Sequence, residues 1–288
     1  MVWSVKGHGG LPLLMMDDQE PQFLEVGGAG KRRRIAYRYT DRSVDGDLAL
    51  VWLSGFLSDM ASTKALVMAD FARGRRLPML RFDYSGHGES QGAFTDGTIG
   101  RWLADSLAVF DAFCRGPQIL VGSSMGGWLA LLLIRALQRR SAPSSDPPAE
   151  AGTAGEAASV AGVVLIAPAV DFTEELMWKR FTPQIKRELE ETGVWKRPSQ
   201  YSSEPYLVTR ALIEEGRNHL LLGGMIETGC PVRILQGVED PDVPWRHAVE
   251  LVSRLASDDV VLTLVKDGDH RLSRPEDIER MIRAVAEF

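Results

Sequence analysis

Val121-Gly122-Ser123-Ser124-Met125-Gly126-Gly127-Trp128 is the stretch of sequence that decides the fold. A short apolar run at 118–121 precedes it, and a run of good helix formers at 128–137 follows it. The pattern G-x-S-x-G therefore lies between a predicted buried strand and a predicted helix, a context that exposes a serine on a sharp turn. Glycines relieve the crowding of such a turn, and strained dihedral angles expose the Ser124 hydroxyl. We identify Ser124 as the candidate nucleophile; the alternative is a small-residue turn that merely packs closely.

Strands and helices alternate on both sides of this stretch. A continuous apolar run is typical of a strand buried on both faces, and apolar residues at helical spacing indicate a helix. Strands are predicted at 48–53, 77–82, 160–167, 232–237 and 260–265, a hairpin at 22–26 with 34–39, and helices at 62–73, 98–113, 245–255 and 275–288. This alternation predicts one α/β domain over residues 1–288, built on a mostly parallel, doubly wound sheet.

Two segments interrupt the alternation. Residues 141–159 contain no bulky apolar side chain and predict a flexible surface insertion, because strand-like sequence resumes directly after them. Within residues 171–228, the stretch from Asp171 to about Leu222 lacks strand character and carries helical patches at 173–180, 183–191 and 206–215. A segment of this size between two strands predicts a small helical cap over the active site.

Composition excludes several classes of function. The net charge of −6 and the absence of a long basic run argue against nucleic acid as a partner. The sequence has no apolar run of membrane-spanning length, and nothing in it supports a signal peptide. Two cysteines far apart fit a reducing compartment, so we expect a cytoplasmic location. With no metal-ligand spacing and no phosphate-binding glycine pattern, the sequence predicts neither a metal nor a cofactor.

A serine hydroxyl needs a base to remove its proton and a third group to orient that base. A serine in this kind of turn is followed along the chain by the acid and then by the histidine. Five histidines are present, and two of them, His8 and His87, precede the serine. His219 falls in the predicted cap and His247 inside a predicted helix, whereas His270 follows the last predicted strand. Loops at the carboxyl ends of strands carry the catalytic groups of such sheets, so we predict that His270 is the base.

The acid is expected at the end of a strand as well. Three carboxylates follow the predicted strand 232–237, and we favour Asp240, three residues beyond the glycine that ends it. Glu239 and Asp242 are then surface or helix-start carboxylates. Asp171, after the strand 160–167, is the rival candidate.

The oxyanion that develops during acyl transfer needs two N–H donors. The first is expected to be the backbone N–H of Met125, directly after the nucleophile, and the second that of Phe56, in the loop after the strand 48–53. Asp83 and His87 lie in a Gly-rich turn and are predicted to hold it by hydrogen bonds rather than to catalyse. Cap residues with large apolar side chains either line an acyl pocket or pack the cap down: Met177, Trp178, Phe181 and Trp195.

Several motifs together resemble the α/β-hydrolase superfamily: Ser54-Gly55-Phe56, Asp83-Tyr84-Ser85-Gly86-His87-Gly88, Gly122-Ser123-Ser124-Met125-Gly126-Gly127, Gly237-Val238-Glu239-Asp240 and Gly268-Asp269-His270. Thr63-Lys64-Ala65 and Gly126-Gly127-Trp128 are also similar to the palmitoyl-protein thioesterase branch, whose animal members are mitochondrial and also cleave acyl glucuronides. The resemblance implies the α/β-hydrolase fold and a serine esterase or thioesterase of class EC 3.1 without a cofactor. One departure is Ser54, where many relatives carry histidine.

The sequence thus predicts hydrolysis of a carboxylic ester or an acyl thioester, carried by a small molecule or by an acylated protein. Ser124, Asp240 and His270 form the predicted catalytic triad. Two alternatives stay open: another serine hydrolase of this fold, such as a peptidase or a carbon–carbon bond hydrolase, and a catalytically idle scaffold that binds a ligand.

Overall fold

The computed structural model describes residues 20–28, 32–40, 48–141, 157–198, 205–256 and 259–288. Within these ranges the strands are β1 Gln22–Val26, β2 Arg33–Thr40, β3 Ala49–Leu53, β4 Met79–Phe82, β5 Pro117–Ser123, β6 Ser159–Ile166, β7 Val194–Arg197, β8 Tyr206–Thr209, β9 Val232–Gly237 and β10 Val260–Val265. The α-helices are α1 Thr63–Arg75, α2 Ile99–Phe113, α3 Met125–Ser141, α4 Pro183–Thr192, α5 Arg210–Gly216, α6 Trp245–Arg254 and α7 Pro275–Val285.

Eight of these strands form one sheet in the order β1-β2-β4-β3-β5-β6-β9-β10. The strands from β4 to β10 in that order are all parallel, and β2 is antiparallel to both of its neighbours. Because parallel strands end at the same edge, the loops after β3, β5, β9 and β10 meet there, which is where ligands bind in open α/β sheets. The predicted mostly parallel sheet is confirmed.

Helices cover both faces of the sheet. On one face the buried side chains of α2, α3 and α6 form a core that includes Trp102 and Trp128. On the other face α1 and α7 cover the sheet with a smaller cluster that includes Met68 and Met281. Apolar side chains from both faces of β3 and β5 enter these cores, which explains why the runs that predicted these strands are apolar apart from Gln118.

The segment between β6 and β9 differs from the helical cap that the sequence predicts. It contains α4 and α5, but Thr173–Met177 is a π-helical turn and Trp178–Arg180 a 3₁₀ turn. It also contains an antiparallel pair, β7 with β8, so the expectation that this segment lacks strands was wrong. The predicted helix at 206–215 begins only at Arg210, because aromatic and β-branched residues favour the strand Tyr206–Thr209. The Thr209 hydroxyl then caps α5 by accepting the Leu212 N–H at 3.1 Å.

The predicted insertion at 141–159 falls between the end of α3 and the start of β6, and its residues 142–156 lie outside the described ranges. None of the described helices combines the length and apolar character needed to cross a membrane.

Candidate active site

Ser124 stands on the turn between β5 and α3 with a backbone φ of 54°, in the left-handed region that residues other than glycine rarely adopt. Its N–H donates to the Ile166 carbonyl at 2.8 Å, a bond that holds the strained residue against the neighbouring strand. A Cβ at Gly122 would collide with the Gly126 backbone, and one at Gly126 with the Leu53 carbonyl. Both positions of the turn must therefore be glycine, because a larger residue has no room there. The Ser124 side chain faces a cavity.

The predicted base and acid lie in line with this serine. His270 follows β10, and its Nε2 lies 3.1 Å from the Ser124 hydroxyl oxygen. Its Nδ1 lies 2.8 Å from Oδ2 of Asp240, which follows β9 and whose side chain is fully buried. A carboxylate only accepts hydrogen bonds, so Nδ1 carries the proton and Nε2 is free to accept the serine proton. The structure brings together the three residues that the sequence predicts.

Hydrogen bonds from its own turn hold the Asp240 carboxylate. Oδ1 accepts the backbone N–H groups of Asp242 at 2.9 Å and Val243 at 2.8 Å. Oδ2, the oxygen that faces His270, also accepts from Nε2 of Gln236 at 3.2 Å. Sequence reasoning missed Gln236. The signal in the sequence was a glutamine at the end of a largely apolar strand, immediately before the glycine that leads to the acid. The structure shows that its side chain is fully buried.

Two backbone N–H groups lie beside Ser124. Phe56 and Met125 both line the cavity that contains the serine, and in the described part of the chain neither N–H has a hydrogen-bond partner. The Met125 N–H is free because it opens α3, where the first N–H groups have no partner in the helix. The loop of Phe56 approaches closely because a Cβ at Gly55 would lie only 3.3 Å from the Ser124 Cβ. The two predicted donors therefore flank the serine.

The rival acid and histidines are bound elsewhere. Asp171 accepts the N–H groups of Leu221 at 2.9 Å and Leu222 at 2.8 Å, and burial raises its pKa to about 6. Nε2 of His247 lies 2.8 Å from a backbone carbonyl, and His219 pairs with a glutamate on its own helical segment at 2.6 Å. None of these three groups makes a hydrogen bond with Ser124 or His270.

The Gly-rich turn carries the hydrogen bonds that the sequence predicts for it. The Asp83 carboxylate accepts the backbone N–H groups of Met60 at 2.7 Å and Glu89 at 2.9 Å. His87 is buried, and its Nε2 accepts the Leu57 N–H at 3.3 Å. Both side chains thus hold backbone, and two of their three partners belong to the loop after β3.

The cavity above Ser124 has a volume of about 1080 Å³. Met177, Phe181 and Trp195 line it, and the rings of Phe181 and Trp195 pack edge to face with centroids 5.0 Å apart. Trp178 does not line it; its ring packs under Lys186 instead. The sequence left open whether these four side chains form a pocket or pack the cap down, and three of them contribute to the cavity wall.

Lys64 is a further cavity residue, to which the sequence analysis assigned no role. Its Nζ donates to the backbone carbonyl of Arg271, the residue next to His270. Burial lowers the pKa of this amine to about 8, against the opposing charge of Asp269. Lys64 therefore ties the start of α1 to the loop that carries the base.

Within the described residues, the groups that could ligate a metal converge at Asp240, Asp242 and His270, whose candidate ligand atoms lie within 4.8 Å of one another. Both ring nitrogens of His270 already have hydrogen-bond partners, one in Asp240 and one in Ser124. This donor set fits proton transfer better than metal ligation, which would require one of these nitrogens.

Comparisons with known proteins agree with this geometry. A family model described as "Alpha/beta hydrolase family" matches residues 46–287. The chain is 35% identical over 237 residues to the human mitochondrial palmitoyl-protein thioesterase ABHD10, covering 82% of this chain and 71% of the relative.

Solved structures show the same similarity. A protein from Agrobacterium vitis S4 that is described as a hydrolase is 50% identical, with a TM-score of 0.85, covering 93% of this chain and 98% of that one. Alpha/beta hydrolase domain-containing protein 10 from mouse is 31% identical, with a TM-score of 0.77 and the same coverage.

Proposed function

The chain belongs to the α/β-hydrolase family, and from this premise we propose that it hydrolyses carboxylic esters or acyl thioesters through an acyl-enzyme on Ser124. One observation carries the proposal: a hydrogen-bonded line runs from Asp240 through His270 to Ser124, and Ser124 shares its cavity with two residues whose backbone N–H groups have no partner among the described residues. A serine with a base on one side and free donors on the other is the arrangement that acyl transfer needs.

In the first half of the reaction His270 acts as a general base. Nε2 removes the hydroxyl proton as Ser124 attacks the acyl carbonyl, and Asp240 stabilises the imidazolium that forms. The carbonyl oxygen gains negative charge and accepts from the N–H groups of Phe56 and Met125. One such donor contributes about 3–4 kcal/mol to stabilising the transition state.

His270 next acts as an acid, which completes the first half of the reaction, and then again as a base in the second half. It gives its proton to the leaving alcohol or thiol, which departs and leaves the acyl group on Ser124. Water enters, His270 removes a proton from it, and the hydroxide attacks the acyl carbonyl. His270 then returns this proton to the Ser124 oxygen as the tetrahedral intermediate collapses, so the acid product leaves with the Ser124 hydroxyl restored, and the proposed reaction uses no cofactor.

The segment 171–228 is proposed to act as a cap within a single domain that spans the chain. Its side chains form one wall of the cavity above Ser124, and apolar walls suit an acyl chain. A volume of about 1080 Å³ lies at the upper end of ordinary small-molecule sites. The human relative is named a palmitoyl-protein thioesterase, and a long acyl thioester, on a small thiol or on a protein, is the substrate class that we propose to test first.

Labelling with a fluorophosphonate probe tests the acyl-enzyme step. The wild-type protein should react, and Ser124→Ala should not. Absence of labelling in the wild type would support the idle-scaffold alternative, whereas labelling of Ser124→Ala would place the nucleophile elsewhere.

A substrate panel tests the reaction class. We expect turnover of long-chain acyl thioesters, short-chain esters or acyl glucuronides, with a clear preference for one of them. A protein that is labelled by the probe but turns over none of the three would be a serine hydrolase of another class, such as a peptidase.

The cytoplasmic location stays a prediction. The mammalian relatives carry the word mitochondrial in their names, which favours a different compartment. Fractionation of cells that express the untagged chain distinguishes the two.

A further inference from the structure

The loop that supplies Phe56 lies between β3 and α1 and contains no helix or strand. A neighbouring segment, which begins in β4 and runs through the Gly-rich turn, binds this loop by four side-chain hydrogen bonds. Arg81 Nη1 donates to Met60 O at 2.9 Å, Asp83 Oδ1 accepts from Met60 N at 2.7 Å, the Tyr84 hydroxyl donates to Ser54 O at 3.2 Å, and His87 Nε2 accepts from Leu57 N at 3.3 Å.

These bonds enclose the candidate oxyanion donor from both directions. Tyr84 holds the carbonyl of Ser54, two residues before Phe56, and the Trp52 indole N–H donates to the Ser54 hydroxyl at 3.1 Å. The residue after Phe56 is Leu57, which has a φ of 58° and an exposed side chain. The turn has its own bond, from the Ser58 N–H to the Gly55 carbonyl at 3.1 Å, but a leucine in the left-handed region is strained, and a partner outside the turn also holds it there.

That partner is His87, whose bond reaches the peptide group directly after Phe56. Its Nδ1 faces the Ser85 carbonyl at 3.5 Å, which favours the tautomer with the proton on Nδ1 and leaves Nε2 as an acceptor. The imidazole is 4% exposed and is packed edge to face against Tyr84, Phe94 and Trp102. Burial lowers the pKa of His87 to about 4, so the ring stays neutral and able to accept near neutral pH.

We propose that His87 is a positioning residue for acyl transfer: by accepting the Leu57 N–H, it fixes the peptide that aims the Phe56 N–H at the reacting carbonyl oxygen. The inference rests on the proposed acyl-enzyme chemistry at Ser124. His87 does not touch the substrate, and its effect passes through the backbone. N–H donors that already point at the position of the oxyanion stabilise the transition state without any rearrangement of the loop during the reaction.

Two substitutions at the same site separate hydrogen bonding from packing. His87→Leu fills the space without an acceptor, whereas His87→Gln offers Oε1 near the position of Nε2. Loss of a whole oxyanion donor costs roughly 100-fold to 1000-fold in kcat, and a misdirected donor costs less. We expect His87→Leu to lower kcat roughly 30-fold with KM within about threefold, and His87→Gln to lie within about fivefold of the wild type.

The inhibition constant Ki of a trifluoromethyl ketone with the acyl chain of the substrate is a measurement that a general loosening of the fold would not change. The adduct of this ketone with Ser124 carries an oxyanion, so its Ki should rise in His87→Leu by the same factor as kcat/KM falls. The concentration of fluorophosphonate-reactive sites corrects kcat/KM for protein that has not folded, and Ki does not depend on that concentration.

Ser90→Ala is the matched control. The Ser90 hydroxyl donates to Asp83 O at 2.6 Å and accepts from Ala36 N at 2.8 Å, so it ties the same turn to β2 instead of to the oxyanion loop. We expect this variant to lower Tm and to leave kcat per reactive site unchanged. Three outcomes would each overturn the inference. His87→Leu could keep the wild-type kcat, His87→Gln could lose as much kcat as His87→Leu, or Ser90→Ala could lose as much kcat per reactive site as His87→Leu. Turnover by Ser124→Ala would overturn the proposed function itself.

Discussion

Three loops reach Ser124 from two sides, and the two sides contribute in different ways. The loops after β9 and β10 contribute side chains: the Asp240 carboxylate and the His270 imidazole lie in line with the serine hydroxyl. The loop after β3 carries Phe56, which lines the same cavity and is the proposed backbone N–H donor. We call the first the acid–base side and the second the oxyanion side. A single substitution removes a functional group from the first, whereas on the second it can only displace one.

The supports of the two sides differ as well. The carboxylate of Asp240 is held mainly by its own turn, through the N–H groups of Asp242 and Val243. The loop of Phe56 has one bond within its own turn, from the Ser58 N–H to the Gly55 carbonyl, and is also held from another part of the chain, by Tyr84 at Ser54 and by His87 at Leu57. We therefore expect the acid–base side to fail abruptly when its own residues change, and the oxyanion side to fail gradually when its neighbours change.

Asp240→Asn gives the largest expected effect. An amide in place of the carboxylate cannot stabilise the imidazolium and favours the wrong tautomer of His270, so kcat should fall roughly 10⁴-fold. Initial rates per fluorophosphonate-reactive site measure the loss. Asp242→Asn is the control, because Asp242 reaches Asp240 through its backbone N–H while its side chain pairs with Arg197 at 3.6 Å, and its kcat should stay within about threefold of the wild type. If kcat fell less than about tenfold in Asp240→Asn, the acid–base side would not fail more abruptly than the oxyanion side.

The same contrast explains how much of the site could be predicted from the sequence. Side chains that do chemistry are visible as residue types in an order, so Ser124, Asp240 and His270 could be chosen by elimination. Strand positions were visible as well, because a strand buried on both faces must be apolar throughout. The parallel sheet and the meeting of its loops at one edge followed from these patterns.

Backbone donors and their supports could not be predicted in the same way. Phe56 was chosen by its place after a strand, and nothing in its side chain marks the role. The hydrogen bond that the Leu57 N–H donates to His87 joins residues that are 30 positions apart, so no periodic pattern in the sequence indicates it. The strands β7 and β8 were missed for a related reason. Strands of four residues are too short to show an alternating pattern, and they form because they pair with each other.

The pH dependence of stability tests how the oxyanion side is built. Burial lowers the pKa of His87 to about 4, whereas an unfolded histidine titrates near 6.5, and the charge of nearby Asp59 opposes the shift. Between these values the unfolded chain binds the extra proton, so the free energy of unfolding falls as the pH falls through this window. His87→Gln should remove about 2 kcal/mol of the loss between about pH 7.5 and about pH 5, measured by urea denaturation.

Asp171→Asn is the companion variant for this measurement. Burial raises the pKa of Asp171 to about 6, so the folded protein binds the extra proton between that value and the ordinary range of an aspartate. Its contribution to stability therefore increases as the pH falls, opposite in sign to that of His87. The loss on acidification should become steeper in Asp171→Asn. A wild-type slope in His87→Gln would mean that His87 is not neutral and buried as described.

Gln236→Leu probes a support of the Asp240 carboxylate that lies outside the turn of Asp240. Nε2 of Gln236 donates to the Asp240 oxygen that faces His270, and hydrogen bonds to charged groups contribute about 1.5–3 kcal/mol. We expect kcat to fall about tenfold with KM unchanged. Gln118→Leu is the control, since Gln118 is equally buried in β5 but its Nε2 donates to the Arg115 carbonyl, away from the site. If both variants lose activity equally, Gln236 acts through stability alone.

Gly55→Ala gives the smallest expected effect and tests the gradual failure of the oxyanion side. The added Cβ would lie 3.2 Å from the Ser123 carbonyl and 3.3 Å from the Ser124 Cβ, so the loop must move by a few tenths of an ångström. Such a shift lengthens the Phe56 hydrogen bond without removing it, and kcat should fall about fivefold at constant KM. Gly74→Ala, whose Cβ in α1 would meet nothing within 4 Å, is the control and should leave kcat unchanged. If Gly55→Ala matched the loss in Asp240→Asn, a displaced donor would cost as much as a missing carboxylate, and the two sides would not differ in the way that their supports imply.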